Sequence, residues 1–260
     1  MNYVFTIDIG NTNQTVGVFK NNSFVEKISL CNFIEHYEKL IDHNIIISNV
    51  SNQNIESKII SKNSYTIFHD SKINHFHGMP INYQSTLGSD RLALNWYAYQ
   101  NIANLKYKKI LVIDSGTFST VDFVNDQGHQ GGYIFPGNKL LIDSYKMGER
   151  LKTFSENIFS PPLKNFQIPT NTKDAIEKSI PTLFQLFYQN IFNKYSPDNV
   201  LVTGGNSNFH KLLIDNTKTN KPLITLLPNL IHFSLFTLYN KQQSMFPSSK
   251  YFRHRAEIMK

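Results

Sequence analysis

The sequence predicts an α/β fold in which one domain occurs twice with a central cleft between the copies, and three observations lead there. Short β-branched, apolar stretches alternate with segments of helical period along the chain. An acidic glycine turn that ends the first strand, Asp8-Ile9-Gly10-Asn11-Thr12, comes round again as Asp114-Ser115-Gly116-Thr117, 106 positions later (114 − 8). Both turns lead into hairpin strands, so the order strand, acidic turn, hairpin is what repeats, and duplication of a domain is the economical explanation. At about 150 residues per domain the chain is less than two full domains long. Two small halves are therefore expected, residues 1–105 and 106–260.

The elements follow from the local pattern. Residues 3–9 (YVFTIDI) are β-branched and aromatic, 14–20 alternate into a second strand, Asn21-Asn22 supply a turn, and 23–29 make a third. A helix at 33–42, an apolar strand at 45–48, a helix at 53–62 and a strand at 64–68 complete the first half. In the second half a helix at 92–102 leads to strands at 109–114 and 118–124, a turn at Asn125-Asp126-Gln127-Gly128 and a strand at 131–135. Helical segments at 138–155 and 172–194, a strand at 199–205, a helix at 207–214 and an apolar helix at 229–240 follow. The polar tail after Lys241 is expected to be loosely ordered.

Composition removes several classes of function. With 40% hydrophobic residues, 17% charged, 20 Phe and 13 Tyr, the chain is far from disordered. Its one cysteine, Cys31, excludes a disulfide framework and a cysteine zinc site and fits a reducing compartment. The first nineteen residues carry no Lys or Arg and include Asp8, unlike a secretory signal, and no apolar run reaches the roughly 18 residues that span a bilayer. A cytoplasmic protein without membrane contact is expected. The net charge is +7, but the lysines are scattered singly, and the densest runs are Lys106/Lys108/Lys109 and Lys250/Arg253/Arg255/Lys260. Such a surface suits small anionic ligands better than nucleic acid.

Three glycine turns carry the chemistry. Asp8 stands at the C-terminal end of an apolar strand, followed by a glycine that lets backbone amides approach a ligand and by Asn11 and Thr12, which can donate to phosphate oxygens. Taken alone this is also how an ordinary Asx turn reads. Its recurrence at Asp114 favours phosphate binding, with one turn for each of the terminal phosphates of a nucleotide. Thr203-Gly204-Gly205 ends a third apolar strand, where bare backbone would let adenine or ribose lie close. No G-x-x-x-x-G-K-[ST] and no G-x-G-x-x-G occurs, so neither the P-loop nor the dinucleotide turn is the phosphate device.

Gly88-Ser89-Asp90-Arg91 opens a helix, with Ser89 or Asp90 available as cap and the helix N-terminus favouring the Asp90 anion. Capping does not call for Arg91; a carboxylate beside a fixed guanidinium suits a proton acceptor near an anionic substrate, the role expected of Asp90. His75-x-His77, with His69 nearby, lacks the further ligands of a zinc site. Phe184, Phe187, Tyr188, Ile191 and Phe192 form a helical stripe read as core or dimer-interface packing. Trp96, Tyr97 and Tyr99 are expected mostly in the core.

These motifs resemble the type III pantothenate kinases, of the actin-like and sugar-kinase ATPase superfamily with its paired ribonuclease H-like domains. The resemblance runs over about residues 3–240, in family order: Asp8-Ile9-Gly10-Asn11-Thr12-Asn13, Gly88-x-Asp90-Arg91, Asp114-x-Gly116-Thr117, Gly131-Gly132-Tyr133-Ile134-Phe135-Pro136-Gly137, Thr172-x-x-Ala175-Ile176 and Thr203-Gly204-Gly205. It implies that residues 8–15, including Gln14 and Thr15, wrap the phosphates of ATP, that Gly88 to Arg91 hold pantothenate with Asp90 as proton acceptor, and that Asp114 binds a monovalent cation such as potassium or ammonium. It further implies that Thr117 contacts ATP, Thr172 contacts the substrate, Tyr83 is the substrate-side tyrosine at a shorter spacing than usual, and the protein is a homodimer. Ser89, Ser115 and Ser179 depart from the family's common alanine, larger residue and glycine.

The activity expected is ATP-dependent phosphorylation of pantothenate to 4′-phosphopantothenate, the first step of coenzyme A biosynthesis. It requires magnesium, with Asp8 holding the hydrated ion. A non-catalytic nucleotide-sensing accessory protein and a kinase for another small alcohol are the alternatives.

Overall fold

The computed structural model describes residues 3–37, 43–51, 63–68, 74–84, 86–105, 107–151, 168–217, 222–243 and 252–254. Along the chain lie β1 (Tyr3–Ile9), β2 (Gln14–Lys20), β3 (Ser23–Ser29), α1 (Leu30–Tyr37), β4 (Asn44–Asn49), β5 (Asn63–Ile67), β6 (His75–Phe76), β7 (Met79–Pro80) and α2 (Ser89–Leu105). Then come β8 (Lys109–Ser115), β9 (Phe118–Asn125), β10 (Gly128–Pro136), α3 (Asn138–Ser144), α4 (Thr172–Tyr195), β11 (Asn199–Thr203), α5 (Ser207–Asp215), β12 (Leu223–Leu226), α6 (Leu230–Gln243) and β13 (Phe252–His254).

Two sheets carry the fold, and they repeat one topology. The first has the order β13-β5-β4-β1-β2-β3, the second β10-β9-β8-β11-β12. In the first, β1 is antiparallel to β2, β2 to β3, and β4 and β5 add in parallel on the other side. In the second, β8 is antiparallel to β9 and parallel to β11, which is parallel to β12. Strand by strand, β3-β2-β1-β4-β5 corresponds to β10-β9-β8-β11-β12. The duplicated α/β fold expected from the repeated acidic turn is thus present in the sheets themselves.

The compact units are not contiguous. One holds residues 1–101, 127–131 and 229–260, the other 102–126 and 132–228. The sequence places a single boundary at 105/106, but α6 packs on β1, β2 and β4 and so belongs with the first unit. Its core gathers Val4, Phe19, Ile46, Trp96, Leu235 and Leu238, with a second cluster on the opposite sheet face around Phe5, Ile7, Val16 and Phe33. The second unit packs Leu111, Ile113, Phe184, Tyr188, Val200 and Leu213 together.

Local chemistry explains the turns that aim these strands. Asn21 and Asn22 both adopt positive φ, 48° and 67°, the geometry of a two-residue hairpin turn that asparagine tolerates. Gly17 lets α6 come close: a Cβ there would lie 2.6 Å from Thr6 Oγ1 and 2.7 Å from His232 Cγ.

Several elements differ from expectation. The helix at 138–155 ends as α3 at Ser144, followed by a single 3₁₀ turn over Tyr145–Met147, because Gly148 takes extended backbone there. The tail is not wholly loose, since Phe252–His254 pair with β5. The stretch around His75 and His77 forms the small hairpin of β6 and β7, and β12 has no counterpart in the sequence prediction. The helix expected at 53–62 lies outside the described residues.

Candidate active site

Both sheets end their central strand on a carboxylate in the same setting. Asp8 on β1 is opposite Thr15 on β2 and Ser48 on β4. Asp114 on β8 is opposite Thr120 on β9 and Thr203 on β11. Directly opposed residues put their side chains on one face of a sheet, so each half-buried acid stands between two hydroxyl residues.

The turns after them are tight. Gly10 N–H donates to the Asn13 carbonyl at 3.0 Å, leaving Asn11, Thr12 and Asn13 exposed, with Ile9 buried and Gln14 half-buried. Gly116 N–H donates to the Phe118 carbonyl at 3.1 Å, and Gly137 N–H to the Thr117 carbonyl at 2.8 Å. Gly204 has φ +88°, and a Cβ there would stand 2.6 Å from Asp114 Oδ1 and 2.5 Å from the Ser115 carbonyl oxygen. Only glycine satisfies both the backbone conformation and that approach. Asp114 and Gly204 therefore meet in the second unit, with the exposed Gly205 opening onto free space and Thr117 in the turn after β8.

The Gly88–Arg91 motif also lies in the first unit, near the Asp8 strand. α2 opens at Ser89 with Leu92 N–H donating to the Gly88 carbonyl at 2.9 Å. The Ser89 hydroxyl does not cap the helix; it accepts from Asn49 N–H at 3.0 Å and pairs with Ser48 Oγ at 3.0 Å. Ser48 is the residue opposite Asp8, so one serine links the phosphate-type turn to the Gly88–Arg91 motif. The departure at Ser89 thereby acquires a structural purpose.

Asp90 Oδ1 accepts from Arg91 N–H at 2.6 Å, and a Cβ on Gly88 would lie 2.6 Å from that same oxygen, so the glycine leaves the carboxylate its room. Asp90 is half-buried, while Arg91 is 5% exposed. The Arg91 guanidinium sits 5.0 Å from the Tyr83 ring centroid and donates to Tyr83 Oη at 3.4 Å. Tyr83 packs in turn against the ring of His129 at 5.7 Å. The shorter spacing of Tyr83 still brings it onto Arg91.

Thr172 stands exposed in the first turn of α4, where Asn171 caps the helix by accepting from Asp174 N–H at 2.9 Å, and its side chain makes no hydrogen bond among the described residues. Ser179 pairs its hydroxyl with Tyr145 Oη at 2.8 Å, tying the 3₁₀ turn to α4. Sequence reasoning missed Ser48, Thr120 and His232. The first two carry the same signal as Asp8, a polar residue at a corresponding strand position, whereas His232 on an apolar helix carries none.

No three His, Cys, Asp or Glu side chains gather as a metal cage among the described residues. Magnesium keeps most of its waters and takes one or two carboxylates with a nucleotide's phosphates, so the Asp8 carboxylate between hydroxyl residues fits that ion. Asp114 with bare backbone at Gly204 is a hard-oxygen setting that fits a monovalent cation. No helix among the described residues is long and apolar enough to cross a membrane.

A family model described as type III pantothenate kinase matches residues 4–194. The chain belongs to the type III pantothenate kinase family. It is 28% identical to the type III pantothenate kinase of Flavobacterium psychrophilum over 258 residues, covering 92% of this chain and 100% of the relative. The corresponding protein of Campylobacter hominis is 27% identical over 217 residues, 84% of this chain and 92% of the relative. Among solved structures, a protein of Campylobacter jejuni described as a Baf family transcriptional activator aligns with TM-score 0.59 at 19% identity, over 93% of this chain and 100% of that one. Component A of (R)-2-hydroxyglutaryl-CoA dehydratase from Acidaminococcus fermentans aligns with TM-score 0.51 at 12% identity, over 93% and 99%. These two likenesses concern the fold, which is the actin-like one shared by the family.

Buried histidines make the fold pH-sensitive. Burial pushes His77, His210 and His232 each down to about 4 from 6.5. Between those pH values the unfolded chain binds more protons than the native one, so stability is fully present above pH 6.5 and is lost as pH falls toward 4. Urea titrations at pH 7 and pH 4.5 should differ by on the order of 2–3 kcal/mol for each of His210 and His232. Equal stability at the two pH values would contradict the buried, neutral state of these rings.

Proposed function

We propose that the protein transfers the γ-phosphoryl group of ATP to the primary hydroxyl of pantothenate, forming 4′-phosphopantothenate, the first step of coenzyme A biosynthesis. The observation that carries this is the Ser48–Ser89 hydrogen bond, which joins the strand beside the acidic Asp8 turn to the N-terminus of α2, where Asp90 and Arg91 stand. Family membership supports pantothenate as the acceptor.

In this reading residues 8–15, Thr117, Gly204 and Gly205 hold ATP, and Gly88 to Arg91, Tyr83 and Thr172 hold pantothenate. Arg91, fixed by Tyr83, pairs with the substrate carboxylate, and Asp90 accepts the proton of the attacking hydroxyl. Magnesium at Asp8 supplies charge neutralisation for the phosphates. A potassium or ammonium ion sits at Asp114. A pure nucleotide sensor would have no use for an oriented carboxylate beside a buried arginine, which favours catalysis over sensing.

The Asp90→Asn variant separates the two. The amide keeps the size of the side chain, so nucleotide affinity by calorimetry should stay within a few-fold while kcat falls by roughly 10²–10⁴. A variant turning over pantothenate at the parent rate would remove Asp90 from the role. Replacing potassium by sodium should slow the parent enzyme through the Asp114 site; equal rates in both salts would leave Asp114 without a cation.

The enzyme is further expected to be a homodimer. In the second unit Tyr133, Ile134, Leu183 and Leu186 are 49–60% exposed, an apolar surface on β10 and α4 that a second copy would cover. Sedimentation equilibrium should give twice the 30.0 kDa chain mass; an active species of one chain mass would contradict it.

A further inference from the structure

His232 lies on α6 in the first unit, with 0% of its surface exposed and both ring nitrogens engaged. Nδ1 is 2.9 Å from Thr6 Oγ1 and Nε2 is 3.0 Å from Thr15 Oγ1. A neutral imidazole carries one N–H and one bare nitrogen, and the surroundings decide which is which.

Thr6 decides it here. Its single hydroxyl proton is directed to the Gly17 carbonyl at 3.3 Å, a group that can only accept. With that proton on the Gly17 carbonyl, Thr6 Oγ1 accepts from Nδ1–H. Nε2 is left bare, so the Thr15 hydroxyl donates its one proton to it. What Thr15 turns away from the helix is lone pairs only. Directly opposite on β1 stands Asp8, whose ionised carboxylate is likewise acceptor-only.

We propose that His232 is a positioning residue that locks the Thr15 hydroxyl as a hydrogen-bond acceptor beside Asp8, so that this pair receives donors, such as the waters of a hydrated magnesium ion, and repels a bare phosphate oxygen. The proposal rests on the nucleotide-binding reading of residues 8–15 and refines it: Thr15 serves the hydrated ion and not the phosphate directly. In the second unit the residue opposite Asp114 is Thr120, and the buried His210 ring lies instead between Tyr188 Oη at 2.6 Å and Ser119 Oγ at 3.5 Å.

Two measurements on the full chain test this. Long-range ¹H–¹⁵N NMR of the nucleotide-free protein should show His232 as the Nδ1–H tautomer with a bare Nε2, assigned by the loss of its signals in His232→Gln; the Nε2–H tautomer would overturn the proposal. Calorimetry with ATP alone and with magnesium-ATP then reads the consequence. Thr15→Val should weaken magnesium-ATP binding by about 5-fold, the worth of one hydrogen bond, and leave metal-free ATP binding unchanged, while Thr15→Ser retains both. Equal weakening of the two ligands would mean that Thr15 donates to phosphate and would overturn the proposal. A parent protein that binds no nucleotide would instead overturn the kinase reading, and with it the role of Thr15, whatever tautomer the NMR reports.

Discussion

A carboxylate at the end of a buried strand is expensive to strip of water unless polar groups meet it, and both sheets are arranged around that constraint. Asp8 and Asp114 are the only acids on their central strands, and each is flanked by hydroxyl residues on the two neighbouring strands. The rest of the site follows. Gly204 must be bare because the Asp114 carboxylate and the Ser115 backbone occupy the space of a side chain. Helix α6 can bring His232 onto the first hairpin only because Gly17 leaves it room.

The same economy ties the acidic turn to the Gly88–Arg91 motif in the first unit. Ser48 serves the Asp8 strand by register and the α2 N-terminus by its hydroxyl, so a shift of β4 along β1 would move the Gly88–Arg91 motif relative to the acidic turn. Ser89 is therefore more than a tolerated substitution for a smaller residue: it accepts from Asn49 N–H and fixes the end of β4 to the helix. Ser179 plays a comparable part in the second unit through Tyr145.

Much of this was legible in the residues. The period-2 alternation of 14–20, the Asn21-Asn22 turn and the recurrence of Asp-x-Gly after an apolar strand are local signals, and the architecture they predict is present. What escaped was non-local or too short to have a period. β12 spans Leu223–Leu226, and β6 and β7 two residues each, below the length at which alternation can be recognised. β13 sits in a polar tail and exists by pairing with β5. His232 reaches Thr6 across 226 positions, a contact that no pattern in α6 announces, and Ser48 matters only once β4 is known to lie beside β1.

On the proposed function, the acidic turn and the Asp90–Arg91 motif form one phosphoryl-transfer site for pantothenate. Incubating the purified protein with pantothenate, magnesium-ATP and potassium, and identifying the products by mass spectrometry and ³¹P NMR, tests it most directly. The expected result is stoichiometric ADP and pantothenate phosphorylated on its primary hydroxyl. Nucleotide bound without turnover, or phosphate transferred to water or another alcohol in preference to pantothenate, would contradict it.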